Sequence, residues 1–306
     1  MSANKNLLPK QIGDAHIRLL RIFRAVIESG GFATAEIELN ISRPAISQAI
    51  SELESLMNMK LCHRGRGGFS ITTEGEQFYQ ATLQLMSSLE TFRSQVNAIN
   101  TDLVGELNIG ITDNLVTMPQ MRLTKALSAL KQKAPNVIIN IKMIPPLDIE
   151  TQIIDGQLHI GIVPELRTLP GLNYLSLYKE TSLLYCSDQH PLYNQNLDSI
   201  SDLALSQYDG VVPSYPLPVA IKQQQNVLKP TATSTDREGI AFLILTGRFI
   251  GFLPRHFAER WTKEDKMRPI GSHIRGFDTL FSVITRKGAR PNLVLDAYLE
   301  ELMKTP

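Results

Sequence analysis

The sequence lacks the features that mark disulfide-bonded, zinc-binding, secreted and membrane-spanning proteins. Its two cysteines, Cys62 and Cys186, lie far apart and form no CxxC pair, so neither a disulfide framework nor a zinc knuckle is expected. No apolar run reaches about 18 residues, the minimum for a membrane-spanning helix. The first 15 residues contain no continuous apolar segment of the kind found in secretory signals. These absences predict a cytoplasmic protein without a membrane partner.

Motifs of common enzyme active sites are missing as well. The chain contains no GxSxG, HExxH or phosphate-binding P-loop motif. Its six histidines have no spacing typical of metal ligands, and its Ser, His and Asp residues form no recognisable catalytic set. We therefore predict no catalytic residues, no metal site and no enzymatic activity.

The charge is low overall but unevenly distributed. The chain carries a net +1, whereas its first 66 residues hold nine basic and six acidic residues, a local +3 that leaves −2 for the remainder. The N-terminal part is thus the better candidate for binding an anion. The 306 residues exceed the length of about 250 that one hydrophobic core usually reaches, so two domains are expected.

The N-terminal pattern is that of a winged helix-turn-helix over residues 15–73, after a loose tail at 1–14. Apolar residues at helical spacing predict helices at 17–28, 32–39 and 42–57, with a tight turn at Asn40. Two short strands then enclose a glycine-rich tip. Because glycine lets the backbone approach a ligand closely, the two arginines of this tip are expected to contact DNA. The alternative is a solvated turn.

The outer face of the third predicted helix is small and polar. Arg43, Ser47 and Ser51 share one stripe, with Gln48 beside it. Arginine can pair with guanine and glutamine with adenine, while Ser42 at the helix start would leave backbone amides for a phosphate. The alternative is an ordinary solvated face. The predicted DNA-binding residues are Ser42, Arg43, Pro44, Ala45, Ser47, Gln48 and Ser51 on this helix, and Arg64 and Arg66 in the wing.

A long helix is predicted at 74–102. Its apolar residues recur every three or four positions, the seam of a two-stranded coiled coil, so pairing with a second subunit is expected. The alternative is that this seam packs on its own domain. The predicted dimerisation residues are Phe78, Leu85, Leu89, Phe92, Val96 and Ile99.

Residues 105–306 alternate apolar strands with helices, which predicts a mostly parallel sheet. The predicted fold class is α/β, with two Rossmann-like lobes at about 105–180 with 276–306 and about 181–275, preceded by the all-α winged domain and the linker helix. A small-molecule ligand would bind between the lobes, at the carboxyl ends of strands.

The predicted ligand-contacting residues follow these strands. A helix beginning near Asn114 would favour an anionic ligand, whereas Asp113 would favour an amine or a hydroxyl. The alternative for each position is an ordinary loop residue. The predicted set is Thr112, Asp113, Asn114, Pro146, Val163, Pro164, Ser214 and Tyr215.

The stretch LLRIFRAVIESGGFATAEIELNISRPAISQAISELESLMNMKLCHRGRGGFSITTEG closely resembles the winged helix-turn-helix of LysR-type transcriptional regulators. The later segments GELNIGIT, GQLHIGIV, LYCSDQHPL and REGIAFLILTGRFIGFLP are similar to the effector domain of that family. The resemblance implies a regulatory domain akin to periplasmic binding proteins, a dimer through the linker helix and often a tetramer. It also implies promoter DNA as a partner, with RNA polymerase as a further candidate.

The chain departs from the family pattern at three places. Cys62 replaces the usual aromatic residue of the wing. Its basic neighbours could lower the pKa of the thiol, which would suit a redox role; the alternative is a small buried residue. Glu36 replaces an alanine of the second helix, and Asp113 with Asn114 replaces a small uncharged residue. The last departure leaves the chemical class of the effector open.

Three hypotheses follow from these patterns. The first is a transcription regulator whose promoter binding responds to a small molecule between the lobes, with no other cofactor. The second is a small-molecule binding protein whose N-terminal domain contacts only proteins. The third is an α/β enzyme, which would need a catalytic set that the sequence does not show.

Overall fold

The computed structural model of the chain describes residues 12–63, 68–98, 103–197, 200–271, 275–289 and 291–304. The predictions for residues 1–11, Arg64, Arg66 and Ile99 lie outside these ranges. The chain divides into two compact units between Leu89 and Glu90. Within the described ranges, no helix combines the length and apolarity needed to cross a bilayer.

The N-terminal unit contains three short helices, a two-stranded hairpin and most of a long helix. Its elements are α1 (Asp14–Glu28), α2 (Phe32–Leu39), α3 (Arg43–Met57), β1 (Cys62–His63), β2 (Ser70–Ile71) and α4 (Thr73–Ala98), the last of which ends in the second unit.

The inward faces of α1 and α3 form the core of this unit. Phe23 and Val26 of α1 and Ile46, Ile50 and Leu53 of α3 have no exposed surface. These residues are the apolar stripes that the helical spacing predicted, because positions three and four apart lie on the same face of a helix.

Asparagine ends two of these helices. Asn40 after α2 and Asn58 after α3 adopt the left-handed conformation, with φ of 51° and 48°. Asparagine tolerates this conformation better than most residues, so the chain can turn sharply from α2 into α3. Gly75 is required for a different reason, since a Cβ there would lie 2.0 Å from the Leu61 carbonyl oxygen. That close approach joins the start of α4 to the hairpin.

The second unit is an α/β structure with one sheet. Its first half contains β3 (Gly105–Ile111), a 3₁₀ turn (Leu115–Thr117), α5 (Arg122–Lys133), β4 (Val137–Met143), α6 (Pro146–Ile154), β5 (Ile160–Pro164) and β6 (Leu172–Ser187). Its second half contains α7 (Asp202–Leu205), β7 (Asp209–Pro213), α8 (Val219–Gln225), β8 (Lys229–Ser234), α9 (Arg237–Leu245), β9 (Phe249–Pro254), α10 (Arg255–Thr262), β10 (Met267–Pro269), β11 (Gly276–Arg286) and α11 (Leu293–Lys304).

The strand order is β4-β3-β5-β11-β6-β9-β7-β8, with β10 paired to β6. β3 lies parallel to β4 and β5, and β7 lies parallel to β8 and β9. The prediction of a mostly parallel sheet is therefore right at the two ends. It is wrong in the centre, where β11 pairs antiparallel with β5 and β6, and β6 pairs antiparallel with β9. The 16-residue β6 and the 11-residue β11 join the two lobes into one continuous sheet.

Each lobe has a core of its own. In the first lobe, Val294, Tyr298 and Leu302 of α11 pack with strand residues such as Leu107 and Phe281. The last helix of the chain thus returns to the first lobe. In the second lobe, a separate cluster lies around α9, α10 and β9 and contains Tyr185, Val211, Ile240, Ile244, Leu253 and Phe257.

Candidate nucleic-acid interface and effector cleft

The outer face of α3 is polar and accessible. Ile46, Ala49, Ile50 and Leu53 point into the core. The opposite face carries the residues predicted to bind DNA, of which Ser42, Arg43, Pro44, Ala45, Gln48 and Ser51 are exposed and Ser47 is half-buried. The Ser51 hydroxyl donates to the Ser47 carbonyl oxygen at 2.9 Å, within the same stripe. α3 therefore presents hydroxyl, amide and guanidinium groups over about three turns.

The start of α3 differs from the sequence prediction. Ser42 has the extended backbone of a helix-capping residue, but its side chain makes no capping hydrogen bond with the residues described. The Arg43 amide instead donates to Glu36 Oε1 of α2 at 2.9 Å, and Arg43 Nε lies 3.4 Å from Glu36 Oε2. The sequence predicts that Ser42, at the helix start, leaves backbone amides for a phosphate. The Arg43 amide is not one of them, because the Glu36 carboxylate already accepts its hydrogen bond.

A buried carboxylate fixes the base of the wing. Glu54 of α3 is 5% exposed and accepts hydrogen bonds from the amides of Leu61 at 3.0 Å and Cys62 at 3.4 Å. The Lys60 ammonium donates to its other oxygen at 2.9 Å. β1 and β2 then pair antiparallel, Cys62 with Ile71. The helix end and the wing are therefore held together by one side chain.

Cys62 packs into the core of its unit with only 3% of its surface exposed. Both cysteines of the chain are buried thiols, and they form no disulfide. This placement supports the structural alternative for Cys62, since a reactive cysteine needs access to solvent.

The predicted seam on α4 has two parts. Phe78, Leu85 and Leu89 are partly buried and pack against the core of the N-terminal unit, where the rings of Phe78 and Phe23 are 5.6 Å apart. Phe92 and Val96 are 63% and 42% exposed. The first half of the seam thus packs partly on its own domain, as the alternative proposed. The second half exposes apolar side chains to solvent.

The turn after β3 buries two polar side chains. Thr112 and Asn114 are almost fully buried, and within the described ranges neither the Thr112 hydroxyl nor the Asn114 amide nitrogen has a hydrogen-bond partner. Asn114 has a φ of 60° and begins a 3₁₀ turn, while α5 starts only at Arg122. The expected α-helix beginning near Asn114 is therefore wrong. The left-handed Asn114 leads into a 3₁₀ turn and not into an α-helix, so the predicted preference for an anion at a helix N-terminus does not apply to this turn.

Asp113 connects the two lobes. Its carboxylate accepts a hydrogen bond from the Arg237 amide at the start of α9. The Arg237 guanidinium donates to the Tyr215 hydroxyl and lies 5.8 Å from the centre of the Tyr215 ring. The structure thus brings together Asp113 and Tyr215, two of the predicted effector contacts, through an arginine that the sequence argument missed.

The charges of this bridge reinforce one another. Burial alone would lower the pKa of Arg237, but Tyr215, Asp113 and Glu180 hold it above its usual range. Burial raises the pKa of Tyr215 in spite of the neighbouring Arg237. The guanidinium therefore stays charged and the phenol stays neutral at physiological pH.

A second link between the lobes runs through His256. Glu180 of β6 is 1% exposed, and its Oε2 lies 3.1 Å from His256 Nε2 of α10. His256 Nδ1 is 2.7 Å from the Thr117 hydroxyl in the first lobe. Glu180 Oε1 finds no hydrogen-bond partner in the part of the chain that the structure describes. The sequence did carry a signal for Glu180, because a glutamate interrupts the apolar β6 segment LSLYKETSLLY.

The other predicted effector residues lie elsewhere. Val163 packs in an apolar cluster with Ile149 and Ile284, and Pro146 and Pro164 are buried as well. The three side chains are therefore core residues, whereas the sequence predicted that they line the cleft or lie in ordinary loops. Ser214 is exposed next to Tyr215.

The first lobe also contains an apolar cavity of about 240 Å³. Its wall includes Leu115, Met121, Leu127, Leu177 and Tyr178. The Tyr178 hydroxyl is buried and has no hydrogen-bond partner among the described residues. Burial is the main reason that the pKa of Tyr178 lies above its usual range. Leu115 is part of the 3₁₀ turn that follows Asn114, so the cavity and the polar bridge share one segment.

Comparison with known proteins gives two family matches and a similar curated protein. Residues 17–76 match the family described as "Bacterial regulatory helix-turn-helix protein, lysR family". Residues 100–305 match the "LysR substrate binding domain". The chain is similar to the HTH-type transcriptional activator BauR of Pseudomonas aeruginosa, with 47% identity over 300 residues that cover 98% of each chain.

Among solved structures, CbnR, a LysR family transcriptional regulator, aligns with a TM-score of 0.66 and 18% identity over 94% of this chain and 98% of its own. The structure of full-length CbnR with its target DNA aligns with the same TM-score of 0.66 and 18% identity, over 94% of this chain and 99% of its own. At this identity the likeness concerns the fold.

Proposed function

The chain belongs to the LysR family of transcription regulators, and from this premise we propose which of its residues read DNA and where its effector acts. It is a DNA-binding, effector-responsive regulator that works as a homo-oligomer. α3 is its recognition helix, and the observation that carries this assignment is the division of α3 into an apolar inner face and an accessible polar outer face.

The outer face of α3 enters the major groove. Arg43 is suited to guanine and Gln48 to adenine, since each can make two hydrogen bonds with the base edge. Ser47 and Ser51 bind bases or phosphates, and the exposed start of the helix faces thymine methyl groups. Arg64 and Arg66 of the wing contact phosphates or the minor groove.

Two subunits pair through α4. Phe92 and Val96 expose apolar surface that a second copy of the helix would cover, as the coiled-coil spacing predicts. Pairing brings two recognition helices to two half-sites of one operator. Because the target is chromosomal DNA, the regulator acts in the cytoplasm.

The effector binds where Asp113, Arg237 and Tyr215 join the lobes. The groups left for a ligand include the Thr112 hydroxyl, the Asn114 amide nitrogen and one Glu180 carboxylate oxygen. These donors and acceptors have no hydrogen-bond partner among the residues that the structure describes. Since buried polar atoms gain from a partner, the ligand is a small polar molecule that competes with the bridge or completes it. No further cofactor is part of this proposal.

The test begins with selection of a duplex from random-sequence DNA by the full-length protein. Binding to that duplex and to a scrambled duplex of the same composition is then titrated at several salt concentrations. We expect salt-dependent binding with at least about a thousandfold preference for the selected duplex. Failure to select any sequence, or binding without salt dependence, would favour the rival hypothesis of a domain that contacts only proteins.

Effector binding is tested separately, by thermal unfolding of the full chain in the presence of small carboxylates, amines and hydroxylated compounds. A ligand at a concentration of 100 times its Kd should stabilise the protein by about 2.7 kcal/mol. The same compound should lose this effect on the Asp113→Ala variant. A compound that stabilises both proteins equally binds away from the bridge.

A further inference from the structure

Glu36 occupies an unusual place for an acid. It lies on α2, where the family resemblance has a small residue, and it faces the first residue of the recognition helix. Ala35 beside it is fully buried, so the position of Glu36 is fixed by the packing of α2 on α3. Its carboxylate therefore stands at the edge of the surface that meets DNA.

Glu36 holds Arg43 at two points. Oε1 accepts the hydrogen bond of the Arg43 amide at 2.9 Å, and Oε2 lies 3.4 Å from Nε of the guanidinium. Because the Ser42 side chain caps none of the described amides, the acceptor at this helix start comes from α2. One carboxylate thus sets both the first hydrogen bond of α3 and the direction of its arginine.

The ion pair contributes little to folding. Arg43 and Glu36 are 58% and 38% exposed at their side chains, and ion pairs this accessible to water are weak. An acidic residue next to the phosphates of DNA also opposes binding. The contact is therefore better explained by what it does to the choice of DNA sequence.

A DNA phosphate and Glu36 compete for the same two groups. If Arg43 lacked this partner, its guanidinium could move to any nearby phosphate, and the protein would bind non-cognate DNA more tightly. With Glu36 in place, that gain requires breaking the contact and bringing two anions together. At a cognate guanine the contact can remain, because Arg43 Nε stays beside Glu36 while Nη1 and Nη2 donate hydrogen bonds to guanine O6 and N7.

We propose that Glu36 is a specificity-determining residue, which positions Arg43 for base contact and lowers the affinity for non-cognate DNA. This inference rests on the proposed function, since it needs Arg43 to contact bases. Glu36 acts through Arg43 and through its charge, and it touches no base itself.

The test uses Glu36→Gln in the full-length protein. Glutamine keeps an oxygen that can accept the Arg43 amide, so the helix start is preserved while the charge is removed. The matched control is Glu38→Gln, which removes the same charge two residues along α2 from a side chain that accepts a hydrogen bond from the Ser29 hydroxyl. Thermal unfolding of each variant verifies that the fold is intact.

The readout is the ratio of affinities for the selected and the scrambled duplex, together with the slope of log K against log salt. Glu36→Gln should raise affinity for the scrambled duplex about tenfold and lower the ratio by about the same factor. The salt slope on the scrambled duplex should steepen by about one, for one additional phosphate contact. Glu38→Gln should change the ratio less than about twofold, as expected for the loss of an exposed charge that is screened by salt.

A double-mutant cycle with Arg43→Ala identifies the route of the effect. In the Arg43→Ala background, Glu36→Gln should leave the ratio unchanged. The inference is overturned if Glu36→Gln leaves the ratio unchanged in the natural background, if Glu38→Gln acts equally, or if the effect persists without Arg43. If Arg43→Ala alone leaves the ratio unchanged, the assignment of Arg43 in the proposed function fails first, and this inference fails with it.

Discussion

Arg43 and Arg64 carry the same charge but are expected to serve DNA binding differently. Arg43 lies on the outer face of α3, so Arg43→Ala should lower discrimination between selected and scrambled duplexes by about 1–3 kcal/mol. Arg64→Ala, in the wing, should weaken binding to both duplexes and reduce the salt slope by about one. Fluorescence anisotropy at several salt concentrations measures both effects. Equal losses on the two duplexes for Arg43→Ala would contradict its role in base contact.

Glu54 should be among the residues that most stabilise the N-terminal unit. Its removal leaves the Leu61 and Cys62 amides without their acceptor, and a buried unpaired amide costs about 1–3 kcal/mol. Glu54→Ala should therefore lower the free energy of unfolding by about 2–4 kcal/mol, as measured by urea denaturation. Glu52→Ala, at an exposed position of the same helix, is the control and should change stability by less than about 0.5 kcal/mol.

Both thiols should be unreactive in the folded protein. Burial raises the pKa of Cys186 to about 12, so very little thiolate exists at pH 8, and Cys62 is buried in its core. A disulfide reagent that reports accessible thiols should detect neither cysteine until denaturant is added, and peroxide should leave DNA affinity unchanged. Rapid reaction of the Cys62 thiol in the native protein would restore the redox alternative for that residue.

Helical periodicity predicts the elements of the N-terminal unit well, but capping patterns misplace the helix caps. Thr73 with Glu76, and Thr235 with Glu238, have the spacing of a capping box, which predicts Thr73 and Thr235 as helix caps. At the start of α4, however, the Thr72 hydroxyl accepts the hydrogen bond of the Gly75 amide at 2.9 Å. At the start of α9, the Asp236 carboxylate accepts the hydrogen bond of the Gly239 amide at 2.7 Å. Neighbouring Thr and Asp side chains compete for the same helix amides, and sequence spacing does not decide which side chain accepts the hydrogen bond.

The exposed half of the α4 seam predicts where dimerisation can be disrupted. Val96→Asp would bury a carboxylate in the paired helices, which is strongly unfavourable without a partner charge. We expect at least about a tenfold increase in the dimer dissociation constant by analytical ultracentrifugation. Gln84→Asp adds the same charge to α4 at an exposed position off the seam and should leave the constant unchanged. If both variants remain equally dimeric, the subunits pair through another surface.

At the scale of the whole molecule, the fold class and the family assignment were predictable, and both are confirmed. The prediction that the chain is not an enzyme is also confirmed, since its relatives are transcription regulators. The contacts across the lobes were not predictable. Asp113 meets Arg237 across 124 positions of sequence, and Thr117 meets His256 across 139. Such pairs depend on how β6 and β11 set the register between lobes, which no local pattern records.

The bridge between the lobes should govern how firmly they hold this arrangement. Asp113→Ala removes the acceptor for the Arg237 amide, so hydrogen exchange should accelerate at the start of α9 and in the turn after β3, while the core strands keep their protection. Mass spectrometry of the exchanging full chain measures this directly. Asp148→Ala removes an exposed carboxylate from α6 and should leave both segments unchanged. If Asp113→Ala also left exchange unchanged, the second link through His256 would be sufficient to hold the lobes, and an effector would have to act on that link instead.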